Sequence, residues 1–401
     1  MEIIIHRGQN QIGGSIVEVA TKKTRIVFDV GVNLDENEIV DIPKIEGLFS
    51  APQLYDAVFI SHYHSDHIGL LDFVVPNIPI FMGEKAYNIF KSASEYRGKS
   101  SSFKPKFVYD KIAITVGDIT ITPFLCDHSA FDAYMFLIEA DKKKVLYTGD
   151  FRANGRLNFD ELLSELPKVD TLIIEGTTLT RENNTLNIEE EFLEELAIRE
   201  LQKHKGPAFI MMSAMNIERL VTAYNAAKTT DRIFLEDIYT AEIAASVDSE
   251  IPKPNGKLPA KVFLTVGGDE NYKKLQKFGK AKIGKEQIAK TPFLMCVRSS
   301  MINYLKRLNE LCSFEDGVLF YGMWKGYMEQ ESAKDFIEFM KSKGVKLHIL
   351  HTSGHADEQT IEKLISTVSP KSIVPVHTEN ANWFDKYTEI RIIKECNKIV
   401  V

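Results

Sequence analysis

Three histidines and one aspartate fall within residues 62 to 67, directly after a short apolar strand predicted over Tyr55–Ile60. The segment reads Ser61-His62-Tyr63-His64-Ser65-Asp66-His67. Imidazole and carboxylate groups are the ligands that zinc prefers when thiolates are absent. In a loop that turns into a helix, such ligands can divide between two neighbouring metal ions. The segment therefore predicts a metal site at the C-terminal end of a strand and favours it over a His-rich surface loop.

One loop cannot complete two coordination spheres, so further ligands must come from other parts of the chain. His128, Asp150 and His377 each follow a predicted apolar strand. Any one of them alone would be read as a cap or a turn residue, but together they supply the missing ligands. We therefore predict seven metal ligands: His62, His64, Asp66, His67, His128, Asp150 and His377.

Composition indicates what class of protein carries this site. The 401 residues are 44% hydrophobic and 26% charged, which is ordinary for a globular protein. No apolar run is long enough to cross a bilayer, and the N-terminus carries Glu2 where a signal peptide would be basic, so we expect a cytoplasmic protein with no membrane association. The four cysteines, Cys126, Cys296, Cys312 and Cys396, lack metal-finger or redox spacing and are expected to be reduced and mostly buried. A net charge of −7 leaves the substrate undecided.

The predicted pattern of strands and helices changes near Thr177. Before it, short strands rich in Val, Ile, Thr and aromatic residues alternate with turns and a few helices, which predicts packed sheets flanked by helices. After it, strands and helices alternate, which predicts a parallel α/β unit. Asn187, with Glu190 three residues later, resembles a capping box for a helix that runs to Lys205.

The pattern His-x-His-x-Asp-His, followed by His128 and then by Gly149-Asp150, resembles the metallo-β-lactamase superfamily. The resemblance implies an α/β fold, an αββα sandwich with the metals at one edge, and a structural role for Asp29. It also implies a zinc site in which one ion is held by His62, His64 and His128, a second by Asp66, His67 and a later histidine, and both by Asp150. His64 stands where flavodiiron oxidoreductases of this fold have Glu, which favours hydrolytic zinc over redox iron.

A second resemblance is to the β-CASP nucleases, which insert a whole α/β domain before their last metal ligand. Over two hundred residues separate Asp150 from His377, and three further motifs of that family follow in order. Glu175 matches acidic motif A, His355 matches motif B and His377 matches motif C. RNA-cleaving members, such as RNase J and the pre-mRNA 3′-end endonuclease, have His at motif C. The resemblance implies a metallo-β-lactamase domain in two parts, 1–178 and 345–401, with the β-CASP domain at 179–344.

We therefore expect a hydrolase, a ribonuclease that cuts phosphodiester bonds of single-stranded RNA with two Zn²⁺, or with Mn²⁺ in their place. The catalytic candidates are Asp66, which would steer the proton of the attacking water, His355 as general acid, and Glu175 orienting a histidine. The alternatives are a hydrolase of DNA, a hydrolase of a small ester or thioester, and a non-catalytic scaffold. The oligomeric state stays open, with a homo-oligomer among the options.

Candidates for substrate binding are fewer. Arg298, Ser299 and Ser300 could bind a phosphate, although helix capping by Ser300 explains the serines equally well. By position alone, Arg152, Arg219, Arg298 and Lys325 could line a substrate groove. Trp324 and Tyr327 could stack on bases, although packing in the core is the commoner fate of such aromatic residues.

Overall fold

The computed structural model describes residues 1–34, 40–99, 103–180, 187–395 and 398–401. The chain forms two compact units: one of Met1–Lys91, Lys99–Asn187 and Gly354–Val401, the other of Ser92–Gly98 and Ile188–Ser353. The domain limits 1–178, 179–344 and 345–401 stay a prediction, and the main changeovers between the compact units lie about nine residues later in each case.

Strands in the described ranges are numbered in chain order: β1 (Glu2–Arg7), β2 (Ile16–Ala20), β3 (Arg25–Phe28), β4 (Ala57–Phe59), β5 (Ile80–Gly83), β6 (Lys106–Val108), β7 (Ile114–Val116), β8 (Ile119–Cys126), β9 (Ala133–Ala140), β10 (Lys143–Tyr147), β11 (Thr171–Ile174), β12 (Ala208–Met211), β13 (Ile233–Asp237), β14 (Lys253–Pro254), β15 (Pro259–Phe263), β16 (Phe293–Val297), β17 (Val318–Tyr321), β18 (Lys346–Ile349), β19 (Ser372–Pro375), β20 (Arg391–Ile392) and β21 (Ile399–Val400).

The α-helices of the same ranges are α1 (Ser65–Ile68), α2 (Glu84–Tyr96), α3 (Phe159–Glu165), α4 (Glu190–Lys203), α5 (Ile217–Thr229), α6 (Ile238–Ser246), α7 (Asp269–Gln276), α8 (Lys285–Ile288), α9 (Ile302–Asn309), α10 (Glu331–Ser342) and α11 (Glu358–Val368). Among the described residues, no helix combines the length and the apolar character needed to cross a bilayer.

The first unit is a sandwich of two mixed seven-stranded sheets. Their strand orders are β21-β1-β2-β3-β4-β5-β6 and β20-β19-β11-β10-β9-β8-β7. Phe28 and Phe59 of the first sheet pack on Phe136 of the second, with ring centroids 5.5 and 5.6 Å apart. Helices α3 and α11 cover the outer face of the second sheet through residues such as Leu162 and Leu364. Because β9 is buried on both faces, its sequence is almost continuously apolar.

The second unit is built on one parallel sheet of order β14-β15-β13-β16-β12-β17-β18. Helices α9 and α10 pack on one face through residues such as Leu305 and Phe336. Helices α4 and α5 pack on the other through residues such as Leu201 and Leu220. The observed architecture is therefore the predicted parallel α/β unit.

One local prediction is wrong. Asn187 does not cap α4, which begins at Glu190; instead its backbone N–H donates to Asp357, and its side chain donates to the carbonyl of His355. Glu190 is buried in an ion pair with Arg219. The helix after the histidine cluster ends at Ile68, and a short 3₁₀ turn follows at Leu71–Phe73. Cys312 is only half-buried, whereas Cys126 and Cys296 are buried, and Cys396 lies outside the described residues.

Candidate metal centre

The seven predicted ligands meet at one edge of the sandwich in the first unit. The loop 62–67 follows β4, and His128, Asp150 and His377 follow β8, β10 and β19. Strands β8, β10 and β19 end at the same edge of the second sheet because β10 and β19 both run parallel to β11 and β8 runs in the same direction as β10. The loop after β4 of the first sheet supplies ligands to the same groups. Ligands distant in sequence therefore come together, as the positions of the strand ends predicted.

Three of the ligands, His62, His64 and His128, form a first group. One nitrogen from each lies within 4.8 Å of the others. His64 Nδ1 and His128 Nε2 are 3.1 Å apart, and the rings of His62 and His128 are 4.6 Å apart between centroids. Three nitrogens at this spacing can bind one metal ion.

A second group consists of Asp66, His67 and His377. Asp66 Oδ2 lies 3.1 Å from His377 Nε2 and 4.0 Å from His67 Nε2. The group offers two nitrogens and one carboxylate oxygen, which is a ligand set suited to zinc or manganese.

Asp150 lies between the two groups. Its Oδ2 is 3.7 Å from His62 Nε2 and 4.0 Å from His128 Nε2, both in the first group. The same oxygen is 3.3 Å from His67 Nε2 in the second group, and Oδ1 is 3.8 Å from His377 Nδ1. One carboxylate is therefore within reach of the ligands of both groups.

Buried polar atoms provide a test of whether a metal fits here. His62 Nε2, His67 Nε2 and Asp150 Oδ1 are buried and, within the described residues, have no hydrogen-bond partner. Unpaired buried polar atoms are costly unless something binds them. Burial lowers the pKa of His62 and His128 well below the usual range, and that of His64 to about 4. Neutral imidazoles with free lone pairs fit a metal ion.

The other nitrogens of these rings are held by neighbouring groups. His128 Nδ1 contacts the carbonyl oxygen of Gly354, and His67 Nδ1 lies 2.8 Å from Asp29 Oδ2. His377 Nδ1 lies 2.7 Å from the hydroxyl of Thr177. Such contacts fix ring orientation and leave Nε2 for the metal. Sequence reasoning missed Thr177 and Gly354, although Thr177 lies two residues beyond Glu175 and Gly354 directly precedes His355.

Left-handed backbone conformations occur at three positions beside these ligands. Asp29, Gly149 and His377 have φ of 59°, 52° and 50°. Non-glycine residues in this region carry strain that tends to be kept at functional sites. At Gly149 a Cβ would also lie 2.7 Å from the Cβ of Ser61, so glycine is required there to bring Asp150 into the site.

His355 and Glu175 form a pair beside the metal ligands. His355 Nδ1 lies 3.1 Å from Glu175 Oε2 and 3.5 Å from Asp150 Oδ2. Glu175 is fully buried and also accepts the backbone N–H groups of Phe151 and Thr177. Burial lowers the pKa of His355, but the carboxylates of Glu175 and Asp150 outweigh it and raise the pKa to about 9. The side chain of His355 is 22% exposed, against 2% or less for His62, His67, His128 and His377.

The basic residues that were candidates for a substrate groove differ in their exposure to solvent. Arg152 and Arg219 are both 1% exposed, so their assignment to a substrate groove is wrong. Arg152 is paired with Asp127, and Arg219 with Glu190. Lys325 is exposed.

Among the substrate-binding candidates, Arg298 is already paired. Its two terminal nitrogens lie 2.9 and 2.6 Å from the carboxylate of Asp237. Ser299 begins a 3₁₀ turn over Ser299–Met301, and Ser300 is exposed. Trp324 and Tyr327 are exposed as well, not packed in the core.

Comparison with known proteins identifies the family of the chain. Residues 24–235 match the family model described as the β-lactamase superfamily domain. The chain belongs to the metallo-β-lactamase superfamily. Residues 331–391 match the Zn-dependent metallo-hydrolase RNA specificity domain. Within the superfamily the chain is a β-CASP nuclease family member, and the predicted α/β sandwich with an inserted β-CASP domain is confirmed.

Individual relatives cover almost the whole chain. The RNase J-like protein of Methanocaldococcus jannaschii is 26% identical, over 93% of this chain and 91% of its own length. Ribonuclease J 1 of Streptococcus pyogenes is 21% identical, over 93% of this chain and 67% of its own length. A crystal structure of a protein of unknown function from Enterococcus faecalis V583 matches with a TM-score of 0.83 at 19% identity, covering 100% and 99% of the two chains. It shares the metallo-β-lactamase and β-CASP fold.

Proposed function

We propose that this chain is a metal-dependent ribonuclease that hydrolyses phosphodiester bonds of single-stranded RNA with two zinc ions. The observation that carries the proposal is the pair of ligand groups with Asp150 between them. The match of residues 331–391 to an RNA specificity domain and the similarity to ribonuclease J proteins support RNA as the substrate. A ribonuclease would meet RNA in the cytoplasm, the location that we predict from the sequence.

His62, His64 and His128 would hold one ion, Asp66, His67 and His377 the other, and Asp150 would contact both. Two divalent cations held side by side supply an activated water near neutral pH and neutralise charge on the phosphate oxygens. We also propose a catalytic role for Asp66. Its Oδ2 lies 3.1 Å from His377 Nε2, within the same ligand group, and the carboxylate would steer the proton of the attacking water.

His355 is the proposed general acid. Its Nδ1–H donates to Glu175, which leaves Nε2 as the nitrogen that can donate a proton to the departing sugar oxygen. Its partial exposure makes the ring accessible to a substrate, whereas most metal-group histidines are buried. Glu175 is a positioning residue, because its carboxylate is buried and oriented by backbone N–H groups.

Arg298, Ser299 and Ser300 are proposed to bind a phosphate of the substrate. The ion pair with Asp237 fixes the guanidinium of Arg298 and partly neutralises it, so the two hydroxyls would make the direct hydrogen bonds. This segment would therefore position RNA and add less binding energy than an unpaired arginine would.

The test is incubation of the purified protein with end-labelled single-stranded RNA, the DNA of the same sequence and a chromogenic ester, with and without a chelator. We expect RNA cleavage that the chelator abolishes and zinc restores. Faster cleavage of DNA, or hydrolysis of the ester alone, would replace the proposal by one of the alternative substrates. Full activity on RNA after the metals have been stripped would refute the mechanism.

A further inference from the structure

The second unit contains another cluster of metal-ligating side chains, far in sequence from the candidate metal centre. Glu200 lies in the last turn of α4, His204 follows that helix directly, and His348 is on β18. One ligand atom from each of the three lies within 4.8 Å of the others. His348 Nε2 is 3.6 Å from Glu200 Oε2, and the two imidazole rings are 5.9 Å apart between centroids.

The spacing of the atoms suits a small cation. Tetrahedral ligands at about 2 Å from a zinc ion lie about 3.3 Å from one another. Glu200 and His204 are four residues apart, the separation that brings side chains to one face at the end of a helix. Glu200 Oε1 is 2.6 Å from the ammonium group of Lys203, so Oε2 is the oxygen directed towards His348.

His204 is oriented by a second carboxylate. Its Nδ1 lies 3.0 Å from Asp316 Oδ1, and the backbone N–H of Lys205 donates to Asp316 Oδ2 at 3.0 Å. A histidine that binds a metal commonly donates its other N–H to a carboxylate in this way, which fixes the tautomer and leaves Nε2 as the ligand. His204 is only 5% exposed, so packing of the surrounding residues also holds its ring in this orientation.

We propose that Glu200, His204 and His348 form an additional site for a divalent transition-metal ion, with zinc as the best match. Two imidazoles and one carboxylate are a zinc ligand set that leaves a fourth position for water. The ion would join the end of α4 to β18, the edge strand of the parallel sheet, and would stabilise the second unit. The site is independent of the proposed RNA cleavage.

The experiment measures zinc bound per chain on the full-length protein after metal removal and equilibration with buffered zinc. Glu200→Gln and His348→Gln each remove one ligand at a partly exposed position and keep the size of the side chain. The matched control is Glu195→Gln, an exposed acid on the same helix. We expect both ligand variants to bind one zinc fewer than the parent and the control, and zinc to raise their thermal unfolding temperature less.

RNA cleavage should be the same in all four proteins, because none of the substituted residues belongs to the candidate metal centre. Equal zinc content in parent and both ligand variants would overturn the proposal and leave the cluster as an ion pair between helix and strand. Loss of zinc with simultaneous loss of fold in both variants, seen by circular dichroism, would also overturn it, since partly exposed ligands of an added site should not be needed for folding.

Discussion

Replacing His355 by alanine separates the proposed proton donor from the metal ligands. His355 belongs to neither of the two ligand groups described above. It lies close enough to Asp150 and His377, however, that the three side chains could bind one metal ion together. If it donates a proton, His355→Ala should keep the zinc and lose turnover by roughly 10²–10⁴-fold, the usual contribution of a general acid. That loss corresponds to about 3–5 kcal/mol of transition-state stabilisation.

Glu175→Gln gives the partner measurement. The neutral amide of Gln can still contact Nδ1 of His355, which lies 3.1 Å from the Glu175 carboxylate in the parent. Three backbone N–H groups donate to that carboxylate, and the N–H₂ of the amide cannot accept hydrogen bonds from them. We expect a smaller loss of turnover than for His355→Ala. In the double variant the losses should not add, because Glu175 acts through His355.

The assay is single-turnover cleavage of end-labelled RNA with zinc content measured on the same samples. His351→Ala is the control, because it removes an imidazole four residues earlier that belongs to none of the ligand groups. Loss of zinc from His355→Ala would show that His355 is a metal ligand and would refute its role as the acid. Strictly additive losses would refute the positioning role of Glu175.

Three further predictions concern the ligands and two buried carboxylates. Asp150→Ala should lower zinc binding at both groups, and an unchanged metal content would exclude Asp150 as the shared ligand. Burial raises the pKa of Glu18, but hydrogen bonds from His6, Arg25 and Tyr55 outweigh it and lower the pKa from 4.5 to about 2. The carboxylate should therefore stabilise the fold by about 3 kcal/mol above pH 4.5, and this contribution should vanish as the pH falls towards 2. Urea unfolding of Glu18→Gln and of the parent at pH 7 and pH 3 measures it. If the reasoning is wrong, the difference in free energy of unfolding between the two proteins will be the same at both pH values. Glu236 is fully buried, and neither carboxylate oxygen has a hydrogen-bond partner within the described ranges. Glu236→Met should accordingly stabilise the protein by about 1–3 kcal/mol in the same assay, and a destabilised variant would show that the carboxyl group has a bound partner.

Local patterns made the metal centre predictable from the sequence. The loop 62–67 places four ligands within six residues, and His128, Asp150 and His377 follow apolar strands that end at the same edge of one sheet. Hydrophobic periodicity and composition were sufficient to locate these strands, and the direction of a strand determines at which edge of the sheet the residue after it lies. The family resemblance added the roles of Glu175 and His355, which no local pattern gives.

Contacts between distant residues were not predictable in the same way. Sequence position suggested that Arg152 and Arg219 line a substrate groove, but each is buried against a carboxylate that no nearby pattern identifies. The expected cap at Asn187 failed because its hydrogen bonds go to residues about 170 positions away. The cluster of Glu200, His204 and His348 joins a helix to a strand 144 residues later, and only the separation of Glu200 from His204 was visible in the sequence.

The most direct test of the central claim is a crystal of the protein grown with zinc, with diffraction recorded on both sides of the zinc absorption edge. The proposed two-metal centre predicts two anomalous peaks in the first unit, one bound by His62, His64 and His128 and one by Asp66, His67 and His377. Asp150 should contact both peaks. A single peak, or zinc bound away from these residues in a well-folded and active protein, would contradict it.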